Sequence, residues 1–462
     1  MKALYNEDIA FRGGINMAQV KSKEVAVLIS EAKAAQEKYE AFNQEQVDKV
    51  VDAVAAEMTA IAKELAQMAY EETGFGKVED KLTKNLFASE VIYSSIKDER
   101  TVGILRHDEA QGLYEIGIPM GVVAALIPMT NPTSTVIFKA LLTLKTRNAI
   151  VFSPHPAAVK SIVETARRIE EVAVQAGAPA GLIQVIEQPS LEGTERMMHH
   201  EDTALILATG GSQMVKAAYS SGNPAIGVGA GNGPAFIEKT ANVEQAIDFI
   251  LESRLFDYGI ICTSEESIIA EAAVKEEVVK TLLDKGAYFL NDEQTEKFSK
   301  IALRENGTLN PAIVGKPVSV IAELAQIDVP ESAKILIVEQ SIISGDNPYS
   351  REMLAPILPL YVANDWEDGV EKVNQLLNIE GLGHTAILHS TDKEKIEDFG
   401  LSVNASRILV NTGGTLGGIG ATTILEPSLT LGCGTAGGSS TTDNISAKHL
   451  LNIRRVATHY ER

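Results

Sequence analysis

Val122-Val123-Ala124-Ala125-Leu126-Ile127 is an unbroken apolar run that ends in Pro128-Met129-Thr130-Asn131. It is too short to span a bilayer, and apolar runs of this length bounded by turn residues read as strands buried on both faces. Working outward, Ala149–Ser153, Leu182–Glu187 and Thr203–Ala208 repeat the pattern, with helical stretches over Pro132–Leu144, Ala157–Ala176 and Leu191–Met198 between them. Strands alternating with helices imply parallel βαβ units. Their crossovers are right-handed, which places the loops after successive strands along one sheet edge, where ligands bind. Asn131, Pro154, His155, Pro189 and Gly210 fall in or beside those loops.

A second alternation begins after Phe236, with apolar segments at Ser267–Ile269, Ile335–Val338, Leu358–Val362, Thr385–Leu388 and Arg407–Val410. Charged helices over Val243–Arg254, Ala272–Lys285 and Trp366–Leu376 separate them, as in a second α/β domain. Upstream, Lys21 to Glu72 reads as amphipathic helix, with apolar residues at Val25, Ile29 and Ala32 and at Val47, Val51, Val54 and Met58. Such faces pack on a core more often than they bind a partner. The tail from Ser428 is rich in Gly, Ser and Thr before a more regular His449–Tyr460 stretch. It is too polar to form a core alone, so it packs against another element or subunit.

The 462 residues are 45% hydrophobic, with 36 Gly and only 16 Pro, which excludes a collagenous or disordered chain and allows about two or three domains. Two cysteines, Cys262 and Cys433, provide no disulfide framework and lie in no metal-ligand cluster, so a reducing cytoplasm is expected and no metal site. The 62 acidic residues against 41 basic give a net charge of -21, which argues against nucleic acid or anionic lipid as partners. The amino terminus lacks the pattern of a secretory signal, so a soluble protein is expected.

Candidate chemistry is sparse. Ala208-Thr209-Gly210-Gly211-Ser212 is a strand-to-helix turn where glycine admits close approach and a helix amino end favours phosphate. It reads equally as a structural connection. Gly227-Val228-Gly229-Ala230-Gly231-Asn232-Gly233 leaves room for a flat ligand or for tight backbone packing. Neither matches the dinucleotide fingerprint or a phosphate-binding loop motif. Asn131 either caps the following helix or donates its amide to an oxyanion. Cys262, in Phe256-Asp257-Tyr258-Gly259-Ile260-Ile261-Cys262-Thr263, is either an inert buried cysteine or a thiol nucleophile suited to an aldehyde carbonyl. Cys433 sits between glycines with no base-like neighbour. His384 and His389 flank an apolar strand, so one should face a cleft and the other solvent, unless both are structural. His199 and His200 lack metal spacing and read as exposed.

Five stretches together resemble the coenzyme A-acylating branch of the aldehyde dehydrogenase superfamily. They are IPMGVVAALIPMTNPTSTVIFKALL (118–142), ALILATGGSQMVKAAYSSGNPAIGVGAGNGPAFIEKTA (204–241), FDYGIICTSE (256–265), GLGHTAILH (381–389) and LTLGCGTAGGSS (429–440). The similarity is to the aldehyde dehydrogenase part of bifunctional aldehyde-alcohol dehydrogenases and to stand-alone acylating enzymes. It implies an α/β aldehyde dehydrogenase-like fold: a Rossmann-like NAD- and coenzyme A-binding domain (1–102 and 116–235), an α/β catalytic domain carrying the cysteine (236–430) and a small discontinuous oligomerisation element (103–115 and 431–462). Residue by residue, Cys262 matches the family nucleophile, Asn131 the oxyanion donor and Glu352 the position that holds a nicotinamide ribose. Thr130, Ser153, His155, Thr209, Gly210, Gly211 and Gly229 match the cofactor-binding stretches, and His384 a substrate or cofactor contact. Ser153-Pro154-His155-Pro156 lacks the lysine of many hydrolytic members, which leaves the choice of cofactor open; the resemblance implies NAD, with NADP as the alternative.

Two departures carry meaning. Hydrolytic members hold a water-activating glutamate where this sequence has Val228, and valine cannot deprotonate water. A thioester at Cys262 then awaits coenzyme A as acyl acceptor. Tyr258 stands where close relatives have asparagine. The resemblance implies oxidation of a short-chain aldehyde, acetaldehyde first, in a homodimer or homotetramer. Sulfoacetaldehyde is the alternative substrate, its sulfonate held by N–H groups of the Asn411–Thr415 loop, and an inactive oligomeric scaffold is the alternative of another class. With no metal-ligand cluster and an end at Arg462, no attached iron-dependent alcohol dehydrogenase domain is expected.

Overall fold

The computed structural model describes residues 17–459, with side chains from Val25 onward. Residues 1–16 and 460–462, the ends of the expected 1–102 and 431–462 segments, lie outside the described residues. In chain order the strands are β1 (Gly103–Asp108), β2 (Leu113–Pro119), β3 (Val122–Ile127), β4 (Ala149–Pro154), β5 (Ile183–Val185), β6 (Thr203–Thr209) and β7 (Ala225–Val228). Next come β8 (Gly233–Ile237), β9 (Glu265–Glu271), β10 (Ala287–Phe289), β11 (Ile335–Glu339) and β12 (Ile357–Ala363). Last are β13 (Gly383–His389), β14 (Ala405–Val410) and β15 (Leu451–Ala457).

The run that decides the fold is the middle strand of a parallel, Rossmann-like five-stranded sheet ordered β5-β4-β3-β6-β7. Every residue of β3 and β4 is buried, which is why these strands read as continuous apolar runs. Helices Pro132–Lys145, Val159–Gln175 and Leu191–His199 make the crossovers. The amino-terminal helices Met17–Tyr39, Gln44–Ala60 and Ala62–Thr73 are core-facing, with Val47, Val51, Val54 and Met58 in one cluster with Ile137 and Leu141. Registers such as Ile127 opposite Pro154, Leu126 opposite Ala208 and Thr209 opposite Val228 bring the carboxyl ends of β3, β4, β6 and β7 to one edge.

The second sheet is also parallel, ordered β10-β11-β12-β9-β8-β13-β14. The domain boundary expected after Ala235 falls inside β8, which pairs only with strands of this second sheet. The chain therefore passes from one sheet to the other through residues 229–232. The third sheet is antiparallel, β1-β2-β15, so the 103–119 hairpin and the tail pair with each other. The polar tail does pack on the rest of the chain. Buried Arg407 holds it by donating Nε to Asn444 Oδ1 at 2.6 Å, Nη2 to the Gly432 carbonyl at 2.6 Å and Nη1 to the His384 carbonyl at 3.0 Å. No helix among the described residues is long and apolar enough to cross a membrane.

Helix Trp366–Ile379 lies on β8 through Gly369, where a Cβ would come within 2.2 Å of the fully buried Phe236 ring. Gly369→Ala gains about 1 kcal/mol of helix propensity but costs about 1–3 kcal/mol in overpacking. The variant should unfold at lower urea concentration than the parent. An unchanged or higher midpoint would contradict this packing.

Candidate active site

Cys262 lies between a tight turn at Phe256–Gly259 and the amino end of β9. The 229–232 link crosses directly above it: a Cβ on Gly231 would stand 1.8 Å from the Cys262 carbonyl oxygen. Only glycine allows that approach. The thiol is free and partly buried. Burial first, and then the neighbouring Glu352 charge, push it up to about 12. Glu352 is fixed in turn, since its Oε1 accepts from the Gly231 N–H at 2.8 Å. Its carboxyl lies well above the ordinary value, from burial first and then the Glu266 and Glu380 charges. Val228, at the end of β7, is 3% exposed. Cys433 is buried and directs its S–H at the Leu431 carbonyl.

Asn131 does not cap the helix it precedes. Its Oδ1 accepts from Lys84 Nζ at 2.6 Å, and its Nδ2 donates to Thr130 Oγ1 at 3.1 Å. Lys84 and Lys81 belong to helix Val78–Leu86, and both are 3% exposed. Lys84 Nζ also pairs with Asp257 Oδ2, and Lys81 Nζ reaches the same oxygen at 3.2 Å and the Thr130 carbonyl at 3.3 Å. Asp257 Oδ1 accepts from the Lys77 N–H at 2.6 Å. Burial opposes this carboxylate, but the Lys84 and Lys81 charges outweigh it and hold the carboxyl below its usual value. Burial lowers Lys81 to about 8. Beneath β3, Lys139 is fully buried and donates to the Leu126 and Leu207 carbonyls at 2.9 Å, fastening helix Pro132–Lys145 to β3 and β6.

The remaining expected residues are distributed unevenly. Thr130, Asn131, His155, Gly210, Gly211 and Gly229 follow the carboxyl ends of β3, β4, β6 and β7, with Thr209 as the last residue of β6. Gly210 and Gly211 precede helix Ser212–Tyr219 and have nothing within 4 Å of where a Cβ would stand. Protein packing does not require glycine there, and the helix amino end is open to an anion. The cradle thus fits a nucleotide pyrophosphate. Ser153 differs: its hydroxyl is buried against Thr194 Oγ1 at 2.7 Å. His155 Nδ1 accepts from the Ala157 N–H at 3.1 Å.

Neither His384 nor His389 meets solvent. They are the second and last residues of β13, an interior strand, and are 0% and 1% exposed. A parallel sheet covered on both faces buries both side-chain directions. His384 Nδ1 meets Thr385 Oγ1 at 2.9 Å, and Nε2 of each histidine lacks a partner. Burial lowers His384 to about 3, aided by the Arg407 charge, and His389 to about 4, so both are neutral near pH 7. The Asn411–Thr415 loop has spent three of the N–H groups expected for a sulfonate, the Asn411 N–H on the Leu388 carbonyl at 3.0 Å. Gly414 N–H donates to Glu265 Oε1 at 2.7 Å and Thr415 N–H to Ser253 Oγ at 2.8 Å. Among the described residues no cluster of three His, Cys, Asp or Glu could hold a metal ion.

The pattern of the aldehyde dehydrogenase family matches residues 14–420. The chain belongs to that family. Bifunctional aldehyde-alcohol dehydrogenase AdhE of Escherichia coli K12 is 46% identical over 96% of this chain, which spans about half (50%) of that protein's length. An acetylating aldehyde dehydrogenase from Geobacillus thermoglucosidasius superposes with a TM-score of 0.95 at 49% identity, covering 97% of this chain and 99% of the other. An acylating sulfoacetaldehyde dehydrogenase of Bilophila wadsworthia is 38% identical over 94% of this chain and 95% of its own. Within the aldehyde dehydrogenases, the chain is thus homologous to acylating members.

The fold of this aldehyde dehydrogenase also accounts for Tyr258. Asp257 and Tyr258 have φ of 49° and 55°, a left-handed region that asparagine tolerates better than tyrosine. The cost for tyrosine is about 1–2 kcal/mol. Lys77 Nζ, 4.8 Å from the Tyr258 ring centroid, offsets about 0.5–1 kcal/mol of it. Sequence reading missed Lys81, Lys84 and Asp257, because Val-Glu-Asp-Lys-Leu-Thr-Lys-Asn-Leu (78–86) looks like a solvated charged helix. The only signal was the three-residue spacing of the lysines, which puts both on one face.

Asp257→Asn should leave two buried ammonium groups without their shared carboxylate and cost about 3–5 kcal/mol by denaturant titration. A loss below 1 kcal/mol would contradict the ion cluster. With its folded pKa depressed, Asp257 contributes stability above the unfolded carboxyl pKa and loses it as pH falls through the lower folded value. The variant should therefore show a shallower acid transition than the parent. Since the Cys262 thiol sits far above neutral, its alkylation by iodoacetamide in the free enzyme should rise about tenfold per pH unit from pH 7 to 9. A plateau in that range would contradict the burial argument.

Proposed function

We propose that the protein converts a short-chain aldehyde and coenzyme A to an acyl-coenzyme A with reduction of NAD, reversibly, through a thioester on Cys262. The observation that carries this reading is the seam at Cys262. A free thiol lies beneath the link that joins the two parallel sheets, and the preceding strand ends in buried Val228 where a hydrolytic member needs a carboxylate. The Cys262 thiol releases its proton to solvent as its sulfur bonds to the aldehyde carbonyl carbon, the carbonyl π pair moves onto oxygen, and the Asn131 amide and the Cys262 N–H stabilise that oxyanion. When bound, the nicotinamide cofactor accepts the hydride and coenzyme A accepts the acyl group. Val228 offers water no base, so the Cys262 thioester persists until a thiolate arrives.

In this reading the 210–212 helix start and Thr209 hold the pyrophosphate, and Glu352 the nicotinamide ribose. Thr130, Ser153, His155 and Gly229 line the nucleotide path, Ser153 through its backbone because its hydroxyl is internal. His384, neutral and with a free Nε2, contacts substrate or cofactor. The unit built on the five-stranded sheet binds NAD and coenzyme A, and the seven-stranded unit carries the cysteine. The β1-β2-β15 sheet joins subunits of a homodimer or homotetramer, in the cytoplasm. Acetaldehyde is the first substrate proposed. Sulfoacetaldehyde stays as a second on the strength of the Bilophila wadsworthia relative, not of the 411–415 loop.

The test is steady-state turnover of acetaldehyde, propionaldehyde and sulfoacetaldehyde with NAD, with and without coenzyme A. Continuous NADH formation should require coenzyme A, and its omission should leave at most one NADH per site. Sustained oxidation to free acid without coenzyme A would overturn the acylating assignment. Failure of aldehyde to trap covalently on Cys262 would favour an inactive scaffold.

A further inference from the structure

Asn131 ends β3's outgoing loop with the oxygen end of its amide turned toward helix Val78–Leu86 and the nitrogen end toward Thr130. The two ends of an asparagine amide are nearly the same in shape, so its orientation follows from its partners. Lys84 decides it. An ammonium has donors only, so the atom 2.6 Å from Lys84 Nζ must be Oδ1. Nδ2 then points the other way with two N–H groups. One donates to Thr130 Oγ1 at 3.1 Å, and among the described residues nothing takes the second.

Lys84 is itself held. It is 3% exposed, shares Asp257 Oδ2 with Lys81, and with Lys81, Thr130 and Asn131 lines one small indentation. Lys81 fastens the same loop one residue earlier, at the Thr130 carbonyl, 3.3 Å away. The ammonium therefore does two things to the amide: it forbids the flipped orientation, and it polarises the carbonyl end so that the far N–H is a stronger donor.

We propose that Lys84 is a positioning residue for aldehyde oxidation, acting through Asn131: its ammonium fixes and polarises the amide so that Nδ2 meets the developing oxyanion. This rests on the oxyanion role proposed above for Asn131. Lys84 touches neither substrate nor cofactor in this scheme. Asp257 holds Lys84 in place, and Lys81 still pairs with Asp257 if Lys84 is removed.

A double-mutant cycle on the full chain tests it, with Lys84→Met, Asn131→Ala and the pair combined, read as kcat, KM for NAD and the rate of Cys262 alkylation. Lys84→Met should lower kcat by about tenfold or more, within the ~100–1000-fold expected for loss of a whole oxyanion donor. KM for NAD and alkylation should stay within about twofold, which a distorted site would not allow. In the Asn131→Ala background, Lys84→Met should cost nothing further. Multiplying losses in the double variant, or wild-type kcat in Lys84→Met while Asn131→Ala is slow, would overturn the proposal and leave the Asn131 reading intact. Wild-type kcat in Asn131→Ala would overturn that reading and this one together. Should the methionine variant not fold, Lys84→Arg keeps a cation on Asp257 with the donor displaced. It should give a partial loss of kcat with the same absence of further cost beside Asn131→Ala, and full additivity would again reject the proposal.

Discussion

Two ammonium groups and one carboxylate, all but excluded from water, meet where three separate parts of the chain converge. Lys81 and Lys84 come from helix Val78–Leu86, Asp257 from the turn that leads to Cys262, and Asn131 with Thr130 from the loop after β3. Withdrawing such charges from water costs several kcal/mol each, so the cluster persists only because each charge has several partners. Asp257 collects two ammoniums and a backbone N–H. Its carbonyl-to-nitrogen frame is meanwhile forced into the left-handed region, as is that of Tyr258. The turn that leads to Cys262 and the loop that carries Asn131 are thereby tied to the same short helix. Their separation is set by a rigid element rather than by two mobile loops.

The second constraint is steric. The five-stranded sheet offers its carboxyl edge, the seven-stranded sheet the amino ends of β8 and β9, and the chain passes between them over Cys262 at Gly231. That closeness packs the Cys262 backbone tightly, and burial there raises the thiol above its ordinary value. On a chain of net charge -21, an anionic ligand would have to be held by local groups. The open helix amino end at Gly211–Ser212 is such a group, since its N–H dipoles act over a few ångströms and are little affected by the distant field.

Most of the fold was legible because parallel strands buried on both faces leave a plain trace. Val122–Ile127 and Thr203–Ala208 were placed within one residue at each end, whereas Leu182–Glu187 shrank to Ile183–Val185 at the sheet edge. The expected boundary after Ala235 cuts through β8, because Gly233–Ile237 follows a glycine-rich stretch without a break in pattern. For Cys262 and Asn131 the residues alone left a chemical and a structural reading open, since one Cys and one Asn carry no periodicity. Partner choice was not legible at all. Lys84 and Asp257 are 173 residues apart, and the sequence of helix Val78–Leu86 does not distinguish a buried lysine from a solvated one. Nor does it show that His389 is sealed inside a sheet or that the Ser153 hydroxyl is spent on Thr194.

In the proposed function, Cys262 holds an acyl group which water cannot remove for want of a base at Val228. Mass spectrometry of acid-quenched protein, after incubation with acetaldehyde and NAD but no coenzyme A, reads that state directly. The account predicts an acetyl group on the Cys262 peptide that persists for minutes and disappears on addition of coenzyme A. An unmodified Cys262 peptide alongside continuing NADH formation, or an acetyl group that coenzyme A does not discharge, would contradict it.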